Sequence, residues 1–231
     1  MTHLPLSDAL SRIGEIQVPL PAPVALSIGV LVFIALLGST LWKIATHAVT
    51  VVHEAAHATV GLVAGRNIRN VTINPNGGGS TLMVPQEGFG YGVAGFAGYV
   101  GPSAAGLLAA WLISIGHVVA VLWLGGLLLA VMVLLVRNFF GGIVILACGA
   151  LLYLILRYTT AGVETAAAYG VTWFLLLSGP KDALSAATNP KNVADAKALA
   201  GMTVLWPAAW CFLWVVGTIA ALVAGGALLL R

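Results

Sequence analysis

Apolar residues dominate the chain from Val24 onward, and the few polar intervals between them set the expected elements. From Val24 to about Ala64 the apolar run is nearly continuous, longer than the ~20 residues a helix needs to cross a bilayer. It reads either as one long tilted helix or as two segments bending near Gly38-Ser39-Thr40 and Lys43. Further spans are predicted at Phe89 to Ile115, Val118 to Val136, Gly142 to Leu156, Thr165 to Leu177 and Val204 to Leu230, the 142–156 segment being short. After Gly65 the texture changes. Ile68 to Asn74 and Ser80 to Pro85 are rich in β-branched residues and flank Asn76-Gly77, which predicts a hairpin. A polar stretch from Gly179 to Gly201 reads as the loop before the last span.

Residues 1–23 are mildly polar and carry Pro19, Pro21 and Pro23, which disfavour helix, so a short surface arm is expected. No cationic leader with a short apolar core and a small-residue cleavage site precedes the first apolar run, so no removable signal peptide is expected. The fold class that emerges is an all-α polytopic membrane protein of about six transmembrane helices. It forms one transmembrane domain over residues 24–231, with a small β-hairpin after its first long apolar run.

Composition strengthens the membrane reading. Of the 231 residues, 60% are hydrophobic and 7% charged, and the mean hydropathy is +1.04; a soluble domain carries roughly 25% charged residues. The net charge of +3 and the scatter of basic residues exclude a nucleic-acid surface, leaving the lipid bilayer as the expected surrounding. Cys148 and Cys211 lie in apolar runs without a CxxC neighbour and read as packing residues. With one crossing between Val24 and Ala64, Arg66, Arg69, Arg137, Lys181, Lys191 and Lys197 share one side, whereas Arg12, Arg157 and Arg231 share the other. The excess marks the first side as cytoplasmic, and a break near Gly38 moves only the amino-terminal arm. The protein is thus expected to be a multi-pass cell-membrane protein. Trp42, Trp111, Tyr158 and Trp206 sit near span ends and suit an interfacial aromatic belt.

The polar residues that interrupt the first run spell His53-Glu54-Ala55-Ala56-His57. Helical residues four apart share a face, so both imidazoles can reach one Zn2+ with Glu54 beside its water. Two solvated histidines on a soluble helix would not be embedded beside Ala48-Val49-Thr50-Val51-Val52; polar groups at membrane depth are costly and mark function. A catalytic zinc takes three protein ligands and leaves one position open, so a third must come from elsewhere. The acidic residues are few: Asp8, Glu15, Glu54, Glu87, Glu164, Asp182 and Asp195. By membrane parity Asp8, Glu15 and Glu164 fall on the opposite side. Asp182 and Asp195 remain, with Glu87 weaker.

HEAAH followed by Ala58 to Gly65, a Gly-bearing β segment and Gly98-Tyr99-Val100-Gly101-Pro102 resembles the site-2 protease class of intramembrane zinc metallopeptidases, closest to its compact bacterial branch. Asp195-Ala196-Lys197-Ala198-Leu199-Ala200-Gly201-Met202-Thr203 resembles that branch's Asp-Ala-x-x-Leu-Ala-x-x-Thr stretch. The resemblance touches most of residues 50–214, and HExxH is its one strongly specific motif. The Asp-Gly motif that supplies the third ligand in the best-known members is absent. Asn138 occupies a loosely similar place but is a poor zinc ligand. The resemblance therefore implies His53, His57 and Asp195 as ligands of Zn2+, with Asp182 behind Asp195. It implies Glu54 as the general base of peptide-bond hydrolysis in membrane-embedded or membrane-proximal substrates, near the cytoplasmic side.

Other features have plainer readings. Gly92, Gly95, Gly98 and Gly101 suit close helix packing, or else a polar route to the metal. An exposed hairpin edge could hold an unwound substrate by strand addition. Asn74 to Gly79 lacks the Lys-Ser/Thr and following helix of a phosphate loop. His47 and His117 read as interfacial. Two other classes stay open: a catalytically inactive zinc-binding membrane chaperone or scaffold, and a transporter using His and Glu as an ion relay, for which no inverted repeat speaks.

Overall fold

The structure is a computed structural model that describes residues 14–231. The part of the predicted arm that contains His3, Asp8 and Arg12 lies outside the described residues. Its described part docks on the bundle. Gln17 caps the distant helix that begins at Val118, its Oε1 accepting the N–H groups of Val118 and Val119 at 3.0 and 3.2 Å.

The first apolar run breaks at Gly38 into α1 (Ala22–Leu37) and α2 (Ser39–Val63), which meet at a 106° bend. Of the two arrangements the sequence allowed, the bent one is therefore found. The hairpin follows as β1 (Asn67–Ile73) and β2 (Gly79–Val84), antiparallel, with Val71 opposite Thr81 and Ile73 opposite Gly79. Then come α3 (Phe89–Ser114), α4 (Val118–Leu135), α5 (Phe139–Tyr158), α6 (Ala161–Thr188), a 3-10 turn (Pro190–Asn192), α7 (Ala194–Met202) and α8 (Pro207–Leu229).

Four of these helices, α3, α4, α5 and α8, are individually long and apolar enough to span a membrane, and the bent pair of α1 and α2 passes the same test together, as a broken span or a re-entrant loop. That is fewer than the six expected. The difference is α6, which is long but carries Glu164, Lys181 and Asp182 and buries small and polar residues such as Thr172, Ser178 and Gly179. Outward faces elsewhere are apolar, with Leu31, Leu134, Leu146 and Val223 each about two-thirds exposed, as a lipid-facing surface requires.

The stretch from Gly179 to Gly201 is not a loop. Helix α6 continues through Pro180 to Thr188, and α7 begins at Ala194. Proline normally ends a helix by removing a hydrogen bond; here Gly179 lies directly against Ser103 of α3, and the tight contact keeps α6 packed past the missing bond. Helix α3 is the hub, packed against α2, α6 and α8. Its small residues make this possible. Gly101 meets Ala56 of α2, and Gly106 meets Leu176 of α6.

The segment between α4 and α5 pairs with the hairpin. Arg137 N–H donates to Val71 O at 3.0 Å. The Asn138 amide brackets Ile73, accepting from its N–H at 3.1 Å and donating to its carbonyl at 2.7 Å. An amide side chain carries one acceptor and donors in the layout of a peptide group, so Asn138 acts as a further piece of strand beside β1.

Candidate metal centre

Helix α2 presents His53 and His57 one turn apart, as the four-residue spacing requires, with Glu54 next to His53. The imidazole Nε2 atoms of His53 and His57 stand 3.0 Å apart. Asp195, in the first turn of α7, places Oδ2 at 3.5 Å from each. A tetrahedral ion with bonds near 2.0–2.1 Å separates its ligand atoms by about 3.3 Å. The triangle of 3.0, 3.5 and 3.5 Å therefore has the size of three ligands around one ion. Among the described residues, no other group of three His, Cys, Asp or Glu converges in this way.

The surroundings select the ligating atoms. His57 Nδ1 lies 2.7 Å from the Ala94 carbonyl, which can only accept, so the ring's proton sits on Nδ1 and Nε2 keeps its lone pair for a metal. His53 is oriented by packing instead: the Tyr99 ring stands edge-on to it, with centroids 4.8 Å apart, and Tyr99 in turn stacks on Trp214 at 4.3 Å. The Asp195 carboxylate faces both Nε2 atoms at 3.5 Å, so it offers an oxygen ligand to the point on which the two imidazoles converge. Gly98 of α3 completes the fit, because a Cβ there would collide with both Nε2 atoms.

Glu54 is 3% exposed, lines the same cleft as the triangle and reaches the hairpin with one carboxylate oxygen. Thr81 Oγ1 donates to Glu54 Oε2 at 2.6 Å, the short length of a charge-assisted bond. Gly79 lies alongside, where a Cβ would come within 2.5 Å of Oε1. Around these groups opens a cleft of about 680 Å³, bounded by α2, β2, α3, the end of α6 and α7.

Several expectations meet the geometry at this point. His53, His57 and Asp195 are brought together. Asp182 also lines the cleft, but its carboxylate is outside the cluster, and Glu87 does not line the cleft. Asn138 holds the hairpin and is no part of the cluster. Gly98 and Gly101 give the close packing, and Gly95 lines the cleft. The aromatic belt does not extend to Tyr99 and Trp214; Trp214 is fully buried and Tyr99 faces the cleft. Sequence reasoning missed Thr81, Gly79 and Tyr99 as neighbours of the site, and only the Gly-Tyr-Val-Gly string hinted at the last.

A family model described as Peptidase M50B-like matches residues 26–225. The chain belongs to that family, the site-2 protease family. The match runs from α1 to near the end of α8, so it includes both the HExxH helix and the segment that brings Asp195. No curated protein and no solved structure was found to match the chain. The M50B-like chain is accordingly a multi-pass membrane protein with a His-His-Asp cluster able to hold a metal ion.

Proposed function

We propose that this M50B-like protein is an intramembrane zinc metalloprotease that hydrolyses peptide bonds of membrane-embedded or membrane-proximal substrates. The observation that carries the reading is the His53-His57-Asp195 triangle at single-ion size with a buried carboxylate, Glu54, next to it. Two neutral imidazoles and one carboxylate are a donor set that suits Zn2+ and leaves a fourth position open. Bound there, zinc would supply a Lewis acid that polarises a carbonyl and acidifies a water.

The chain's own groups supply the rest. Glu54 takes the proton of the attacking water and passes it to the leaving amine. His57 is held to its tautomer by Ala94, and His53 is steadied by Tyr99. The outer edge of β1 is taken by Arg137 and Asn138, whereas β2 borders the cleft with Gly79, Thr81 and Met83. That supports strand addition to β2 as the way an unwound substrate is held. The excess of basic residues on the hairpin side supports a cytoplasmic placement of the site.

The inactive scaffold keeps the helices and lacks a working third ligand or water. The approach of Asp195 to both imidazoles favours the enzyme. The test is zinc analysis of the purified protein together with cleavage of labelled casein in detergent by wild type and Glu54→Gln. Zinc without any Glu54-dependent cleavage would support the scaffold, and no zinc at all would remove both readings.

A further inference from the structure

The group that would act as base is gripped from outside its own helix. Alternation along β2 turns Gly79, Thr81 and Met83 toward α2 and leaves Ser80 and Leu82 exposed. On that inner face Gly79 and Thr81 both meet Glu54, while Met83 reaches Gly61 two turns on. A valine at 81 would fill the same volume and suit a strand equally well. What threonine adds is its hydroxyl. Its single proton goes to Glu54 Oε2 at 2.6 Å, with the Glu54 backbone carbonyl a more distant acceptor at 3.3 Å. Oε1 is left beside Gly79, whose missing side chain keeps the space next to it open to the cleft.

The grip is also braced. Directly across the sheet from Thr81 is Val71, the residue whose carbonyl accepts from Arg137 N–H and which forms a parallel bridge to Val136. Two residues on, Ile73 is bracketed by Asn138. A continuous set of backbone and side-chain hydrogen bonds thus runs from the α4–α5 junction through β1 and β2 to one oxygen of Glu54. Networks of this kind fix a side chain more firmly than its rotamer preference does.

We propose that Thr81 is a positioning residue for Glu54: its hydroxyl holds one carboxylate oxygen so that the other faces the cleft and the metal cluster. The proposal rests on the protease reading for its kinetic consequence but not for its geometry. A misplacement of about 1 Å in a reacting group costs on the order of a hundredfold in rate.

The experiment compares full-length Thr81→Val and Thr81→Ser with wild type, zinc-loaded in detergent, using labelled casein as the probe. Thr81→Val should lose roughly ten- to a hundredfold in kcat with KM and zinc content unchanged, and Thr81→Ser, which keeps the hydroxyl, should stay close to wild type. A Thr81→Val protein turning over at wild-type rate would overturn the proposal, and so would equal losses in both variants, which would mark a packing role. Cobalt-substituted samples give a readout independent of cleavage. The visible cobalt bands of Thr81→Val should differ from those of wild type, and those of Thr81→Ser should coincide with them. If wild type cleaves nothing yet the cobalt bands separate in this way, the protease reading fails and the positioning role stands; identical bands in all three proteins would remove the positioning role.

Discussion

His57 donates its Nδ1 proton to the carbonyl of Ala94 across 2.7 Å, and so the tautomer at the metal cluster is set by helix α3. Because Gly98 lies one turn further along the same helix, α3 both orients one ligand and leaves room for two. The HExxH helix therefore does not make the site alone.

The first prediction concerns the two histidines. His53→Ala and His57→Ala should each lower bound zinc by at least tenfold, and the double variant should bind none, as measured by metal analysis of purified protein. Stoichiometric zinc in the double variant would sink the assignment. Removing the metal with a chelator should abolish casein cleavage, and adding zinc back should restore it.

Glu54→Gln keeps the shape of the side chain and its contact with Thr81 while removing the base. Zinc content and melting temperature should stay at wild-type values, and cleavage should fall by about 10²- to 10⁴-fold.

Asp195 and Asp182 share the cleft, but only one belongs to the triangle. Asp195→Ala should release zinc, whereas Asp182→Ala should retain it. The reverse pattern, read by metal analysis, would move the third ligand to α6.

Gly98→Ala tests the closeness of α3 by adding one methyl where both Nε2 atoms lie. The expected result is loss of zinc with the helical circular-dichroism signal intact. Full zinc occupancy in this variant would contradict the packing described above.

Asn138→Ala should leave zinc in place, because the residue braces the hairpin and ligates nothing. It unpairs the N–H and carbonyl of Ile73, a loss on the order of 1–3 kcal/mol for each buried group that water cannot reach. Thermal unfolding in detergent would read it. Zinc loss without a drop in melting temperature would argue for a direct role at the metal.

What the sequence made legible was what local rules govern. The four-residue step of His53 and His57 needs only helix geometry, and the hairpin follows from β-branched stretches around Asn76-Gly77. Asp195 was reachable only through membrane parity and a resemblance, since nothing local ties α7 to α2. Gly179-Pro180 reads as helix-breaking, yet α6 runs through it because Ser103 packs there, a contact between residues far apart in sequence. Thr81 and Trp214 stayed invisible for the same reason, and Tyr99 showed only as part of a quoted string. Their types are ordinary for a strand or an apolar helix, and only the register of β2 and the packing of α3 and α8 bring them to the site.

The separation of the ligands along the chain also orders events at the ribosome. Helix α2 with its two imidazoles is synthesised well before α7, which brings Asp195 and packs against α3 and α8. A nascent or truncated chain would hold an incomplete set of ligands. Under the proposed function, the metal and its chemistry would therefore be acquired only after α7 is made.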